Sequence, residues 1–273
     1  MTFLEELLKA HGGPQGAQDN TLTISDRWDI IGYPNGGYLA ALAASVMAQA
    51  TDHKDPLTIS AHFLGHPTAG PASFDARLID YKKSMSRTLM TLNQNDQATG
   101  MYLATFTDFS QTKGETLTSS KGRVLPSIGT FVPLNQLPFM PLPPAFSAQF
   151  DLRVKPDFLA RPNPGNKAEV EGWMTFAQGI EPDLYSLILF ADAFPPTLFC
   201  KLAPEFWGSI PTIEYTVHLK VHPCPGPIYG RFVTDHMVSG LLEVDGELWD
   251  CEGNLVAVSR QVAKLRLPSG SAV

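Results

Sequence analysis

Apolar residues recur at helical spacing in one stretch near the start of the chain, directly after a Pro-Asn-Gly-Gly segment at 34–37. The apolar positions are Leu39, Leu42, Ala43, Val46, Met47 and Ala50. Asn35 precedes them as a suitable N-cap, because its side-chain oxygen can accept a hydrogen bond from an N–H of the first turn. The pattern predicts a helix of about four turns with one strongly apolar face.

Runs rich in β-branched and apolar residues follow this helix, separated by Gly, Pro, Asn and Asp. Strands are predicted at 57–64, 72–81, 88–94 and 100–108. The same order returns in the second half of the chain. A helix is predicted there at 183–193, with strands at 212–221, 228–236, 241–249 and 254–267. Each half is therefore predicted to be one helix followed by a four-strand antiparallel meander.

An internal repeat supports this division into halves. Residues 62–71 return as 218–227, where two His, two Pro and one Gly match at a constant offset of 156. The same offset aligns 101–105 with 257–261. An antiparallel sheet wrapped around one buried helix is the plan of a hotdog unit. The chain is thus predicted to be an α+β protein with a double hotdog fold.

The two copies are separated by residues 125–164, which hold nine prolines and show little periodicity. This segment is predicted to be a linker, either disordered or wrapped around one unit. The predicted domains are an N-terminal hotdog unit at 1–124, the proline-rich linker, and a C-terminal hotdog unit at 165–273 that carries the candidate site residues.

Charge and hydropathy narrow the partners and the compartment. The formal net charge is -7, without a block of Lys or Arg, so no nucleic acid partner is expected. The uncharged stretch 30–51 is interrupted by its Pro-Asn-Gly-Gly segment, which leaves 38–50. That remainder is short of the roughly 20 residues that a bilayer needs, so no membrane partner is expected.

The first residues carry charges among their leucines, unlike a secretory signal. We expect a cytoplasmic protein. The final Ser-Ala-Val is not a peroxisomal address, so import into peroxisomes would need another signal.

Cysteine and histidine spacing predicts neither a metal site nor a disulfide framework. The three cysteines, Cys200, Cys224 and Cys251, share no short spacing and are interpreted as packing residues. Two histidine pairs are repeated, His62/His66 and His218/His222. Each pair has strand spacing that would suit a metal, but each ends at a repeated His-Pro, which shared ancestry and turn structure explain better. No cofactor is predicted.

Asp192 is the most informative polar residue. It follows Leu184 and Ile188 at steps of four, which places it on the core-facing side of the predicted helix. An aspartate on such a face needs a partner. From position alone, a C-terminal cap or a solvent-facing residue is an equal alternative. The offset of 156 places Gly36 opposite Asp192.

Two further polar residues lie near apolar strand faces. The last strand alternates so that one face carries Leu255, Ala257, Ser259, Gln261, Ala263 and Leu265. The buried amide of Gln261 needs partners, either a carboxylate on the facing helix or backbone groups. Thr212 has a hydroxyl that can donate to a carboxylate or hold a water. The alternation along its strand predicts that Thr212 points away from the helix, because the apolar face carries the odd-numbered residues Ile213, Tyr215, Val217, Leu219 and Val221.

These residues, in this order, resemble the acyl-CoA thioesterase family of the type II double-hotdog kind, and more closely its thioesterase-like branch. The resemblance covers most of the chain outside the linker. It rests on Pro-Asn-Gly-Gly-Tyr at 34–38, Ser-Ala-His-Phe-Leu at 60–64 and Leu-Val-Ala-Val-Ser-Arg-Gln at 255–261. Where relatives tend to have Phe-Leu-Arg-Pro, this chain has Phe-Leu-Gly-His-Pro at 63–67. An Arg that would meet the coenzyme phosphates is therefore absent.

The resemblance implies a hydrolytic water held by an Asp on the second helix, a Thr at the next strand and a Gln on the last strand. By motif, these catalytic residues are Asp192, Thr212 and Gln261. One active site per chain is expected, because the first helix has glycine where the second has aspartate. The segment Asn35, Gly36 and Gly37 is a candidate for substrate binding, since a helix-start N–H can stabilise an oxyanion and glycine permits close approach.

The predicted function is hydrolysis of acyl-CoA, or of a related acyl thioester, to free acid and thiol in lipid metabolism. Two alternatives stay open: a hotdog dehydratase or isomerase acting on an acyl thioester in a specialised biosynthetic pathway, and a non-catalytic acyl-thioester-binding protein. Serine-hydrolase chemistry is disfavoured because no Gly-x-Ser-x-Gly motif occurs. A homo-oligomer joined through sheet edges is also expected.

Overall fold

The computed structural model describes residues 2–13, 19–117, 124–137, 144–158, 165, 167–202 and 208–267. Its α-helices over these residues are α1 (Phe3–Lys9), α2 (Gly36–Met47), α3 (Pro144–Ser147) and α4 (Leu184–Phe190). The strands of the first half are β1 (Thr21–Ile24), β2 (Asp29–Ile30), β3 (Tyr33–Pro34), β4 (Asp55–Phe63), β5 (Gly70–Lys82), β6 (Met85–Gln94) and β7 (Gln97–Thr107). The later strands are β8 (Val132–Pro133), β9 (Phe150–Val154), β10 (Ala168–Phe176), β11 (Thr212–Leu219), β12 (Ile228–Thr234), β13 (Met237–Val238), β14 (Leu241–Trp249) and β15 (Leu255–Lys264).

Thirteen of the strands in the described residues form one antiparallel sheet. Its order is β1-β5-β6-β7-β4-β11-β15-β14-β12-β10-β9-β8, with β13 paired to β14, while β2 and β3 form a separate hairpin. The helices α2 and α4 contact each other and the sheet. This arrangement is the predicted α+β double hotdog.

All eight predicted strands are present, as β4 to β7 and as β11, β12, β14 and β15, with bounds that differ by at most three residues. The prediction of a simple meander was wrong, because β4 pairs with β7 and not with its successor β5. The first strand of each predicted four-strand set therefore pairs with the last, β4 with β7 and β11 with β15. Seven strands were not predicted: β1, β2, β3, β8, β9, β10 and β13. Of these, β1 pairs with β5 and β10 pairs with β12.

The repeat appears in the structure as an approximate two-fold relation between the halves. Strands β4 and β11 pair at the centre of the sheet, where Ser60 lies opposite Thr216, 156 positions later. Their hydroxyl oxygens are 2.6 Å apart. Two repeat-related residues that face each other mark the position of the pseudo-symmetry axis.

The offset of 156 holds for most strands but not for the whole unit. In the last strand it becomes 157: Ala104 lies between Ile59 and Thr88, and the residue in the matching place, between Tyr215 and Val244, is Gln261. The predicted alignment of 101–105 with 257–261 was therefore wrong by one residue. The loop between β14 and β15 is longer than the turn between β6 and β7, which accounts for the slip.

The helices do not follow the offset either. Helix α2 begins at Gly36 and α4 begins at Leu184, so their starts are 148 positions apart. The predicted equivalence of Gly36 and Asp192 was therefore wrong. Extra chain between α4 and β11 absorbs the difference.

Helix α4 is shorter than the predicted 183–193. Asp183 is its N-cap, accepting from the Ser186 N–H, and the helix ends at Phe190 with Ala191 as C-cap. Asp192 therefore lies in the turn beyond the helix, where its N–H donates to the Leu189 carbonyl at 3.0 Å. The prediction that Asp192 lies on a helix face was wrong. Asp192 is not the C-terminal cap either, because Ala191 is the C-cap and Asp192 follows it.

Helix α2 is capped by Asn35 as predicted, since the Asn35 side chain accepts from the Tyr38 N–H at 2.9 Å. The helix is buried on all sides, and not along a single apolar face as predicted. Every residue from Gly37 to Met47 is buried, because α4 covers one side of the helix and β4 to β7 cover the others. An apolar residue at nearly every position is typical of such a fully enclosed helix.

The described part of the predicted linker packs against both halves, because α3 contacts β2 of the first half while β8 and β9 extend the sheet of the second. Strand β9 pairs with β10, and β8 pairs with β9. Phe131 covers a row of aromatic residues, Trp173, Tyr229 and Trp249, that crosses three adjacent strands. The linker is thus ordered over these residues and contacts both units, so neither option, disordered or wrapped around one unit, describes it. Residues 138–143 and 159–164 lie outside the described part, and the domain boundaries stay a prediction.

The two ends of the sheet are the four-residue β1 and the two-residue β8. Both offer few backbone groups to a partner strand. Assembly through these edges stays a prediction. No helix in the described part of the chain is long and apolar enough to cross a membrane.

Candidate active site

The carboxylate of Asp192 lies at the N-terminus of α2. Its Oδ2 atom accepts hydrogen bonds from the Asn35 Nδ2 at 3.0 Å and from the Gly37 N–H at 2.9 Å. The Asn35 Nδ2 also donates to the Asp192 main-chain carbonyl at 3.0 Å. The positive end of the α2 dipole stabilises an anion at this place. The end of α4 and the start of α2 are thereby held together by one carboxylate.

Only one oxygen of the Asp192 carboxylate accepts hydrogen bonds from the described residues. The Oδ1 atom of Asp192 accepts no hydrogen bond from any described residue, and the residue is partly exposed. Burial of the carboxylate raises its pKa to about 6, against the lowering effect of the hydrogen bonds from Gly37 and Asn35. A carboxylate with a free oxygen and a pKa near neutrality can exchange a proton with a bound water.

The glycines of α2 allow this contact. A Cβ on Gly37 would lie 2.9 Å from both the Asp192 Cβ and the Leu189 carbonyl oxygen. A Cβ on Gly36 would lie 3.1 Å from Asp192 Oδ2 and 3.0 Å from the Phe63 ring. The sequence predicted that residues 35–37 allow close approach of a substrate. In the structure they lie against the Asp192 carboxylate.

The N–H groups at the start of α2 differ in their partners. Those of Gly37 and Tyr38 donate to the side chains of Asp192 and Asn35, and that of Leu39 donates to the Asn35 carbonyl. The Gly36 N–H has no acceptor among the described residues, and Gly36 is partly exposed. It is the helix-start N–H that is free for a ligand.

Thr212 faces the same side of the sheet as Gln261. The pairing of β11 with β15 shifts between Thr212 and Glu214, so Ile213 is the extra residue of a β-bulge. The bulge turns Ile213 outward, where 43% of its surface is exposed. Thr212 consequently donates from its Oγ1 to the Gln261 Oε1, at 3.3 Å. The alternation had predicted that Ile213 points inward and Thr212 outward. This prediction was wrong, because the bulge reverses the alternation at these two residues.

Gln261 lies on the inner face, as its alternation predicted. It pairs across strands with Tyr215, whose hydroxyl donates to the Ile188 carbonyl of α4 at 2.5 Å. Burial, together with the nearby charge of Asp192, raises the pKa of Tyr215 well above its usual value. Tyr215 therefore connects the strand of Gln261 to the helix end that carries Asp192.

Asp192 makes no direct hydrogen bond to Thr212 or Gln261 among the described residues. The predicted bond between the Gln261 amide and the carboxylate is thus not formed. The Gln261 Nε2 has no acceptor in the described part of the chain. Two groups near Tyr215 are left available, a carboxylate oxygen and an amide NH2.

Sequence reasoning missed the bond from Asn35 to Asp192 and the position of Tyr215. Asn35 was recognised as an N-cap, but its second contact joins residues 157 positions apart, which no local pattern reveals. Tyr215 did carry a signal, because it is a large side chain with a polar tip on an apolar strand face. Its hydroxyl needed a buried partner.

The histidines and cysteines make none of the hydrogen bonds described above for this site. His222 is exposed, and its Nε2 is 3.3 Å from the Asp55 Oδ2. Among the described residues, no three His, Cys, Asp or Glu side chains are grouped so that they could hold a metal. Cys200 is buried, as a packing residue should be, whereas Cys251 is exposed.

The fold and the site define a double-hotdog protein with a carboxylate at a helix N-terminus. A profile of the acyl-CoA thioesterase N-terminal domain matches residues 24–107, and one of the acyl-CoA thioesterase C-terminal domain matches residues 129–265. The chain belongs to the acyl-CoA thioesterase family. It is a thioester hydrolase of that family. No curated protein sequence matched the chain.

Solved structures share the fold over nearly the whole chain. A proposed thioesterase II from Thermobifida fusca is 24% identical, with a TM-score of 0.83 over 97% of this chain and 98% of that one. A hotdog protein from Alicyclobacillus acidocaldarius is 19% identical, with a TM-score of 0.75 over 91% and 93%. An acyl-CoA thioesterase II from Mycobacterium marinum is 15% identical, with a TM-score of 0.69 over 99% of each chain.

Proposed function

We propose that the protein hydrolyses acyl-CoA with a water molecule held by Asp192, Thr212 and Gln261. The observation that carries the proposal is the state of the Asp192 carboxylate. One oxygen is fixed by the start of α2, and the other accepts no bond from the described residues. A base that is positioned but not saturated is what activation of a water requires.

Asp192 removes a proton from the water as the water oxygen attacks the thioester carbonyl carbon. The carbon–sulfur bond of the tetrahedral intermediate then breaks, and the proton held by Asp192 passes to the leaving sulfur. The products are a carboxylic acid and a thiol. A pKa of about 6 suits both steps, because the group is ionised at neutral pH yet basic enough to accept a proton.

The negative charge on the carbonyl oxygen is stabilised by the Gly36 N–H. The neighbouring Gly37 N–H is already used by Asp192, which leaves Gly36 as the donor at the start of α2. The helix dipole strengthens the interaction. The glycine also leaves room for the thioester, since a Cβ there would lie against Phe63 and Asp192.

Thr212 and Gln261 orient the attacking water. The Thr212 hydroxyl fixes the Gln261 amide oxygen, so the amide NH2 is directed away from Thr212 and can donate to the water. A water that accepts from this amide and donates to Asp192 has its remaining lone pair available for attack. Location in the cytoplasm and a role in lipid metabolism stay predictions.

The test is thiol release from acyl-CoAs of several chain lengths by Asp192→Asn. The amide keeps the shape but has no basicity, so turnover should fall by about 100-fold or more. Asp245→Asn is the matched control, because Asp245 lies on the exposed side of β14 in an ion pair with Arg260. Unchanged turnover in Asp192→Asn, at unchanged stability, would refute the proposal. A changed acyl group without thiol release would instead indicate the lyase alternative.

A further inference from the structure

The hairpin of β2 and β3 stands directly before the N-cap of α2. Ile30 pairs with Tyr33, and the two residues between them, Ile31 and Gly32, have φ values of 54° and 87°. Two positive φ values in a two-residue loop define a type I′ turn. Gly32 suits such a turn, but a β-branched residue such as Ile31 is strained there.

The tip of this hairpin is apolar as well as strained. Ile31 is 83% exposed and Tyr33 is 49% exposed. Asn or Gly at position 31 would relieve the strain and remove an apolar side chain from water. Nothing in the packing of the described residues requires isoleucine at this place. A costly residue at an exposed position is typical of a contact made with a ligand.

The base of the hairpin is fixed to the candidate site. The Asn35 N–H donates to the Trp28 carbonyl at 2.9 Å, and the Trp28 ring stacks on Tyr38 at a centroid distance of 5.6 Å. Asn35 in turn holds the Asp192 carboxylate. The tip is therefore held at a set position relative to Asp192.

A histidine on the next strand connection faces the hairpin. The ring centroids of Tyr33 and His66 are 5.1 Å apart, and both side chains are exposed. His66 comes three residues after Phe63, whose ring lies against Gly36. Ile31, Tyr33 and His66 thus form an exposed rim beside the place where Gly36 meets Asp192.

We propose that this rim, Ile31, Tyr33 and His66, binds the thiol-carrier arm of the thioester substrate. The inference rests on the proposed function. The acyl group is apolar and is placed inward, where the surroundings of α2 and α4 are buried and apolar. The sulfur-linked arm then leaves toward solvent across the rim. Pantetheine has methyl groups and amides, which suit an isoleucine side chain and a tyrosine hydroxyl.

The test uses Ile31→Asn, which relieves the turn and removes the apolar contact. The melting temperature should rise by about 2–4 °C, because Asn is compatible with a positive φ. The KM for an acyl-CoA should rise roughly fivefold or more while kcat stays within about twofold. The same acyl group on N-acetylcysteamine, which lacks most of the arm, should be hydrolysed equally well by both proteins.

Ser239→Asn is the matched control. Ser239 and Gly240 form another hairpin turn of this kind, with φ values of 53° and 79°, between Val238 and Leu241. This substitution also relieves a positive φ at an exposed position, but it lies on the far hairpin and should leave KM unchanged. It separates the effect of turn stability from the effect of the rim.

Equilibrium binding of free CoA to wild type and to Ile31→Asn, followed by calorimetry, keeps the inference separate from the proposed function. Weaker binding by the variant supports the rim even if the wild type hydrolyses no thioester. A higher melting temperature with unchanged CoA affinity and unchanged KM would overturn the inference. An equal loss with acyl-CoA and with the N-acetylcysteamine thioester would overturn it too, because the rim would then act on the reacting centre.

Discussion

The N-termini of α2 and α4 are related by the internal repeat, yet they are occupied differently. At α2 the N-cap Asn35 is followed by two glycines, and the Asp192 carboxylate lies against them with one oxygen free. At α4 the N-cap Asp183 is followed by Leu184 and Tyr185, both buried. There the Asp183 Oδ2 accepts from the Leu4 N–H of α1 at 2.9 Å. One helix start is open to a ligand, and the other is closed by α1.

The sheet shows the same difference between the halves. The place that Gln261 takes in the second half is taken in the first by Ala104, which is fully buried. The place of Thr212 beside its bulge is taken by Pro56 beside a matching bulge. The first half thus has apolar residues where the second has hydrogen-bonding groups. In the proposed mechanism the second half supplies the base Asp192, and the first half supplies the helix start that holds it.

The largest effect is expected from Gly37→Ala. The added Cβ would lie 2.9 Å from the Leu189 carbonyl oxygen and from the Asp192 Cβ, so the two helices must separate. We expect unfolding free energy to fall by about 1–3 kcal/mol and thiol release to be lost. Tyr185→Phe, at the matching position of α4, is the control and should retain activity. Full activity in Gly37→Ala would contradict the close contact.

Substitutions at the equivalent sheet positions of the two halves, Gln261 and Ala104, should have opposite effects on activity and on stability. Gln261→Ala should lower kcat/KM by about 100-fold through loss of a donor to the water, with little change in stability. Ala104→Gln should leave the chemistry in place but destabilise the fold by about 1–3 kcal/mol, because the buried amide has no partner. Chemical denaturation and steady-state kinetics on both variants check this. Equal effects on activity would remove the distinction between the halves.

Thr212→Val should have a smaller effect than Gln261→Ala. The substitution keeps the shape but removes the bond to the Gln261 Oε1. We expect a roughly threefold to tenfold loss in kcat/KM. In a Gln261→Ala background the same change should have little further effect, since the hydroxyl acts through the amide. Additive losses in the double variant would show that Thr212 acts independently.

The smallest effect is expected in the first half, on stability at acid pH. His11 is 2% exposed, and its Nε2 lies 3.0 Å from the Ser45 Oγ of α2. Burial lowers the pKa of His11, so the unfolded chain binds a proton more readily than the folded one. Stability should therefore fall as pH drops below about 6.5. His11→Gln should lose this part of the pH dependence, while activity at neutral pH is retained; an identical acid profile in the variant would exclude His11 as the cause.

Local sequence patterns predicted the strands well and the helix ends poorly. Alternation and turn residues located β14 at its observed bounds. Helix α4 was extended past Phe190 because spacing alone does not show where a helix stops. The same over-extension placed Asp192 on a helix face, whereas it lies in the turn that follows the helix.

The pairing of distant residues was the harder part. The contact of Asp192 with Asn35 and Gly37 depends on how α4 packs against α2, which no single segment encodes. Thr212 was judged by parity, and a bulge reversed that parity. A bulge inserts one residue without a strong local signal, so only the pairing of β11 with β15 reveals it.

The pH dependence of kcat/KM tests the central claim most directly. Asp192 must be ionised to accept a proton, so kcat/KM for an acyl-CoA should rise about tenfold per pH unit at low pH and level off above an apparent pKa of about 6. Asp192→Asn should retain only a small residual rate without this inflection. A wild-type profile that is flat from pH 4.5 to 8, or the same inflection in the variant, would contradict the assignment of Asp192 as the base.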